Sequence, residues 1–398
     1  ESNIGKLKTL YRHGLGIRYG RKMQTIAGIH YNLSFPSEFW QAWQVASQTS
    51  GELQDFINEQ YFGLIRNFQR HSYLLLYLLG ASPAVCACFL LGRDHNLASL
   101  SAGTLYQPYA TSLRMSRLGY QNTVQSDLQV SYNQLADYIH DLSHAIHTPY
   151  PPFAELGLKK DGVYQQMNTN VLQIENEYYG LIRPKQTIQR GEKPTQALKS
   201  RGIEYIEMRC VDLNPFTPTG IDSPTAHFLE VFALHSLLSD SPHFEATEYA
   251  ELAIRQEQMV EQGRKPDLHI DINASATDFK SSALKLMAEM QRVALVLDEA
   301  HDTTRYSASI DAQIAKIEHP EQTYAAQVLV EMEKHQNNFF AFGHSIAEKH
   351  RDYFLSRPLS AERQAFFNQE TQTSHAAQKM IEDSDTLSFD DFLAAYIA

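Results

Sequence analysis

The chain has 398 residues, 43% of them hydrophobic and 20% charged, an ordinary globular composition long enough for one large domain or two fused ones. Its net charge of −12 excludes a general nucleic-acid or anionic-membrane surface, both of which need a basic face, but leaves room for a small anionic ligand held by a few arginines. No run reaches the ~18 to 20 apolar residues of a membrane-spanning helix; the nearest, 73–79, is too short.

In chain order, the first informative segment is 10–15, where Tyr11 and Arg12 stand side by side. Residues 25–35 end in clean alternation, with Ile29, Tyr31, Leu33 and Phe35 on one face and His30, Asn32 and Ser34 on the other. That pattern predicts a half-buried strand, stopped by Pro36. Residues 52–79 carry helical spacing, and Gly80 and Pro83 punctuate its end. Cys86 and Cys88 on an apolar run, with Cys210 on a strand, match neither disulfide nor zinc spacing and read as buried free thiols in a reducing cytosol. Segment 108–114 again sets an arginine, Arg114, near a tyrosine. A guanidinium is a planar fork suited to carboxylates, although a surface arginine stacked on an aromatic ring has the same sequence signature.

Residues 133–146 predict an amphipathic helix with Asn133 as its cap. Strands are expected at 171–177 and 203–213, separated by a ligand-covering or mobile loop at 184–202. From 224 onward the pattern is helical, at 226–238, 245–261, 276–300, 324–336, 345–355 and 361–381, with no strong strand signal. Strands without regular βαβ alternation imply an α+β protein with an antiparallel sheet. The expected division is a sheet-containing part, 1–222, and a helical part, 223–398, packed on it. No glycine-rich phosphate loop is present, so a bound nucleotide would be held by metal ions, arginines and the sheet face.

The 203–210 strand carries the sharpest chemistry. Tyr205, Glu207 and Arg209 point one way, and Ile206, Met208 and Cys210 the other. An anion and a cation on a well-buried element need partners, because desolvating them costs several kcal/mol. An intrastrand salt bridge, a metal ion or a phosphate would each serve. A lone strand histidine such as His30 is more often a satisfied structural residue than a ligand; the metal reading gains weight if folding brings it beside Glu207, and such a mixed site suits Mg²⁺ or, better with imidazole, Mn²⁺. Gln173, Glu175, Glu177 and Tyr179 would share a face of the 171–177 strand, as solvated surface or as a polar floor for a ligand. The 17 histidines are scattered, and none forms the His-Glu-x-x-His pattern of zinc proteases.

Taken in order, 10–20 (LYRHGLGIRYG), 25–36 (TIAGIHYNLSFP), 79–86 (LGASPAVC), 108–120 (PYATSLRMSRLGY), 170–185 (NVLQIENEYYGLIRPK) and 202–215 (GIEYIEMRCVDLNP) resemble the proteobacterial type of glutamate–cysteine ligase. The resemblance implies a curved antiparallel sheet of the glutamine-synthetase type. It also implies ATP-dependent joining of the glutamate γ-carboxylate to the amino group of cysteine through a γ-glutamyl phosphate, the first step of glutathione biosynthesis, in the cytoplasm. Carried onto matching positions, it implies His30 and Glu207 as ligands of Mg²⁺ or Mn²⁺, and Asn32 and Arg209 toward the nucleotide, with Arg209 steadying the phosphoryl group. It implies Tyr11, Arg12, Leu15, Arg114, Tyr120 and Tyr179 as the cysteine pocket. Members of that family carry a sizeable N-terminal region with further acidic metal ligands and part of the sheet, ahead of the segment that opens this chain. Either the chain is a fragment, or a separate N-terminal fragment or chain remains bound and completes the site, and the chain by itself is expected to be inactive or nearly so. A related ligase with another amine acceptor, or a non-catalytic subunit, are the competing expectations.

Overall fold

The computed structural model describes residues 1–119, 124, 128–272 and 275–397. A three-stranded antiparallel sheet lies at its centre, in the order Ile29–Leu33, Tyr205–Val211, Ile182–Lys185. The first strand alternates between half-buried and exposed residues, as its sequence predicts. The central strand buries Ile206, Met208 and Cys210, with Glu207 buried among its polar-face residues. The α+β expectation holds.

The apolar side of this sheet packs on the long helix Leu53–Leu79, within one residue of its predicted span. Every residue from Ser72 to Leu79 is buried, so the helix loses its amphipathic character where it passes through the core. Each of its fully buried leucines, Leu74, Leu76 and Leu78 among them, contributes about 1.5–3 kcal/mol relative to exposure. The same apolar cluster takes in Phe228, Leu229 and Phe232 of helix Ser223–Leu238, and Met287 and Met290 of helix Phe279–His301, so the core runs across position 222.

Several elements differ from expectation. A helix, Asn3–Tyr19, opens the chain, with the Ser2 hydroxyl accepting the Gly5 N–H at 3.2 Å. Residues 171–177 form no strand; they are irregular and end in a short 3-10 turn, Glu175–Glu177. The third strand is Ile182–Lys185 instead, and its Pro184 is tolerated because the strand lies at the sheet edge. The expected loop 184–202 contains that strand's end and the helix Pro194–Arg201. Helix Leu135–His147 begins after Asn133, whose side chain is spent on both backbone groups of Phe244, at 2.7 and 3.1 Å. In the helical part, strands His269–Ile272 and Ser275–Asp278 pair antiparallel, and helices Arg305–Glu318 and Phe389–Ile397 add to those expected.

Cys210 is a buried free thiol, as expected, with its ionisation pushed up to about 12 by burial. Cys86 and Cys88 correct the same expectation: Cys88 is exposed, and the two are joined as a disulfide where the chain turns from strand Ala84–Cys86 into the 3-10 turn Ala87–Leu90.

Where the long helix crosses Ser223–Leu238, His71 and His235 meet with ring centroids 6.2 Å apart, and His235 Nε2 lies 3.6 Å from Glu289. Burial, then the neighbouring His235, Arg70 and Arg255, hold His71 down to about 4. An unfolded histidine titrates near 6.5, so the unfolded chain takes up this proton first as pH falls. Stability contributed by the neutral ring is complete above about 6.5 and is lost progressively toward pH 4, by roughly 3 kcal/mol in all. Urea titrations at pH 7 and pH 5 check this: His71→Gln flattens the acid loss, and an unchanged slope would contradict it.

Candidate active site on the polar face of the sheet

Antiparallel pairing places residues directly opposite one another on the same face. Asn32, Glu207 and Arg183 form one cross-strand row, and Tyr205 and Lys185 lie opposite each other in the next. A register irregularity between Ile29 and Tyr31 interrupts the pairing beside His30, the kind of bulge that re-aims a side chain. His30 Nδ1 thereby lies 3.0 Å from Glu207 Oε1. The other carboxylate oxygen, Oε2, accepts a hydrogen bond from Arg209 at 3.0 Å and has Lys185 Nζ 4.0 Å away. The intrastrand salt bridge therefore exists, as part of a larger cluster.

This face floors a cavity of about 520 Å³, lined by Tyr11, Arg12 and Leu15 from the first helix, by Glu177 and Tyr179, and by His30, Arg183, Lys185, Glu207 and Arg209. The Arg209 guanidinium lies 5.3 Å from the Tyr179 ring centre. Burial pushes the Glu207 carboxyl up, but Lys185, Arg209 and Arg183 outweigh it and hold it below the usual carboxylate range. Burial and then Arg209 hold His30 below the usual histidine range, so its ring is neutral near pH 7 and able to ligate. Burial raises Tyr11 well above its ordinary value, so its hydroxyl stays protonated as a donor.

Of the sequence-predicted residues, Tyr11, Arg12, Leu15, Tyr179, His30, Glu207 and Arg209 converge on this cavity. Asn32 lies on the first strand directly opposite Glu207, exposed on the same face. Arg114 stands one layer behind. Its Nε donates to Asp212 Oδ1 at 2.5 Å, and its terminal nitrogens reach the Arg209 carbonyl at 3.3 Å. It lies against Gly28, where a Cβ would meet its guanidinium carbon at 2.6 Å, and it lines a neighbouring apolar cavity of about 280 Å³. Asp212 also accepts from Ala81 N–H and from the hydroxyls of Ser82 and Ser112, which ties the end of the central strand to the 81–82 and 112–114 segments. Tyr120 lies outside the described residues.

Sequence reasoning did not single out Arg183, Lys185 or the role of Glu177. Gln173, Glu175 and Glu177 are buried rather than ranged along a solvated sheet face. Glu177 accepts from Arg18 at 3.3 Å, from the Tyr19 hydroxyl at 2.5 Å and from Gln173 N–H at 2.7 Å. Glu175 accepts from Thr195, and the Gln173 amide packs against Gly14, where any Cβ would collide with it. These contacts fasten the first helix to the 173–177 segment and so fix Tyr11, Arg12 and Leu15 over the sheet.

Two donors bound in adjacent positions of an octahedral ion, with bonds near ~2.1 Å, sit about 3.0 Å apart. The His30–Glu207 separation is that of a hydrogen bond and is also compatible with such an edge, and an imidazole beside a carboxylate is a donor set that Mg²⁺ or Mn²⁺ accepts. Among the described residues no group of three or more His, Cys, Asp or Glu gathers to hold a metal, so phosphate oxygens, water or other groups would complete the shell.

A model of the glutamate–cysteine ligase family matches residues 1–259. The glutamate–cysteine ligases of Pseudomonas fluorescens and Alcanivorax borkumensis are each 46% identical, over 100% and 99% of this chain and 75% and 76% of their own length. The crystal structure of glutamate–cysteine ligase from Francisella tularensis in complex with AMP is similar throughout, with a TM-score of 0.91, 33% identity and coverage of 100% of this chain and 77% of that one. The chain thus spans about three-quarters of the length of these relatives.

Proposed function

The chain belongs to the glutamate–cysteine ligase family, whose enzymes use ATP to join glutamate to cysteine in glutathione biosynthesis, and from that premise we propose that the cavity on the sheet's polar face is where the two bonds change. The observation that carries this reading is the convergence of His30, Glu207, Arg209, Tyr11, Arg12 and Tyr179 from four separate chain segments on one cavity.

A carboxylate is a poor acyl donor, so the glutamate γ-carboxylate must first become an acyl phosphate. One of its oxygens attacks the terminal phosphorus of ATP and ADP leaves; the cysteine amine then attacks the acyl carbon and inorganic phosphate leaves. Such transfer depends on positioning and on neutralising charge. His30 and Glu207 would hold Mg²⁺ or Mn²⁺, which when bound neutralises phosphate charge. Arg209 steadies the phosphoryl oxygens from the same side, and Asn32, beside this pair on the exposed face, contacts the nucleotide.

At the other end of the cavity, Arg12 takes the carboxylate of cysteine. The Tyr11 and Tyr179 hydroxyls donate to it, and Leu15 and the tyrosine rings enclose the thiol. Arg114, engaged by Asp212 and the Arg209 carbonyl, acts by fixing the backbone behind Arg209. Residues 1–222 carry this chemistry, with 223–398 as the helical part packed on them, in a cytoplasmic setting. Among the described residues, no helix is long and apolar enough to cross a membrane.

An amine screen tests the reading. With ATP, Mg²⁺ and glutamate, cysteine is the acceptor that drives phosphate release, and glycine or alanine leaves it near background. Release driven equally by other amines would indicate a different acceptor, and no cysteine-dependent release, even with any co-purifying N-terminal fragment present, would overturn the proposal.

A further inference from the structure

Lys185 has no assigned part in the chemistry above, yet it lines the same cavity, with its ammonium group near Glu207. It stands opposite Tyr205, one side-chain row beyond the Asn32–Glu207–Arg183 row, and rows on one face are about 7 Å apart. Its stem leans back across that gap, bringing Nζ to 4.0 Å from Glu207 Oε2. Arg209 reaches the same oxygen from the opposite side, at hydrogen-bonding distance. Oε1 is turned to His30. The two oxygens therefore face different partners, one an imidazole and the other a pair of cations arriving from neighbouring rows.

At 4.0 Å the Lys185 contact is too long for a hydrogen bond, and among the described residues its three N–H donors make none. Only about a quarter of the side chain is exposed. An ammonium with unused donors, on a half-buried stem at the floor of a cavity and beside a second cation, is placed to take an anion. Arg183 does not share this position. It lines the cavity too, but it is more deeply buried and one of its terminal nitrogens is committed to the Asn176 carbonyl.

We propose that Lys185 is a catalytic residue that grips the phosphoryl group in transit from the side opposite Arg209, so that the group passes between two cations above Glu207. This rests on the reading that phosphoryl transfer occurs at the Glu207 end of the cavity. Lys185 and Arg209 each turn their donors to the oxygens of the terminal phosphate; a divalent cation held by His30 and Glu207 would supply the charge that lets Glu207 release them. The γ-carboxylate oxygen of glutamate forms the new bond to phosphorus as the bond to the bridging oxygen of ADP breaks, with the electron pair leaving on ADP. Lys185 holds an equatorial oxygen through both states, and then the same oxygen of the acyl phosphate until the amine of cysteine expels inorganic phosphate.

Nucleotide binding separates this from a merely structural role. In calorimetry with Mg²⁺, Lys185→Gln weakens the non-hydrolysable triphosphate AMP-PNP by about tenfold or more and leaves ADP within about twofold, because only the terminal phosphate meets Lys185. In turnover, kcat falls by about 10²-fold or more with little change in the KM for cysteine, and Lys185→Arg recovers part of the loss. Unchanged turnover, or equal weakening of AMP-PNP and ADP, would overturn the proposal. Selective loss of AMP-PNP binding in a protein that shows no cysteine-dependent phosphate release would uphold Lys185 as a ligand of the terminal phosphate and reject the acceptor reading alone.

Discussion

Replacing Glu207 by glutamine lowers cysteine-dependent phosphate release by on the order of 10³-fold and leaves the protein folded. The substitution keeps the size and shape of the side chain but removes the charge that Arg209 and Lys185 face and the carboxylate oxygen that lies beside His30. Its amide nitrogen also turns a donor toward groups that are themselves donors. The remaining cations line an open cavity and can recruit anions or water, so the stability cost stays within about 1–3 kcal/mol. The fold survives because the apolar side of the central strand, Ile206, Met208 and Cys210, is untouched. Circular dichroism together with phosphate release at saturating ATP and glutamate checks both halves. Activity near that of the parent would remove Glu207 from the metal role.

That experiment targets the part of the site that was legible in the sequence. The Ile29–Leu33 and Tyr205–Val211 strands could be read because one face of each packs on the core, which imposes a strict two-residue period on the residue types. Once those faces are assigned, the exposed His30 and the charged Glu207 fall on the same side of whatever sheet forms. Their pairing was not legible, since register between strands some 175 positions apart is set by tertiary packing. The edge strand Ile182–Lys185 escaped for local reasons: it is four residues long and contains a proline, so its sequence reads as loop. With it escaped Arg183 and Lys185, which only the register brings into the rows of Glu207 and Tyr205.

The first helix is a different failure. Its three glycines, Gly5, Gly14 and Gly16, weaken the helical signal, and Gly14 is there because the Gln173 side chain occupies the space of a Cβ. A residue that looks like a local weakness is thus a response to a neighbour about 160 positions away. The 171–177 segment was misread in the complementary way. Its alternating Gln173, Glu175 and Glu177 imitate a strand face, whereas each is buried by a separate set of hydrogen bonds.

Glu177 is where that misreading has the largest consequence. Arg18 and Glu177 form an ion pair whose side chains are 0% and 1% exposed, and the Tyr19 hydroxyl donates to the same carboxylate oxygen that Arg18 reaches. Arg18 is further held by Gln166 and by the Asn168 carbonyl, and lies 4.1 Å from the ring centre of Phe153, so it cannot swing out to water when its partner is removed. Glu177→Ala therefore leaves a buried guanidinium without its counter-charge, at a cost of about 3–5 kcal/mol in unfolding free energy. Glu177→Gln costs less, because one acceptor oxygen remains for the converging donors. The functional effect follows from what this pair fastens. Arg18 and Tyr19 end the helix that carries Tyr11, Arg12 and Leu15, so loosening them displaces the cysteine end of the cavity while His30, Asn32 and Arg209 stay on the sheet. Glu177→Gln should accordingly raise the KM for cysteine by about tenfold or more, with the KM for ATP changed far less. Urea unfolding of both variants and initial rates with each substrate varied in turn measure the two effects. An unfolding free energy within about 1 kcal/mol of the parent for Glu177→Ala, or equal rises in both KM values for Glu177→Gln, would show that the ion pair does not couple the helix to the site.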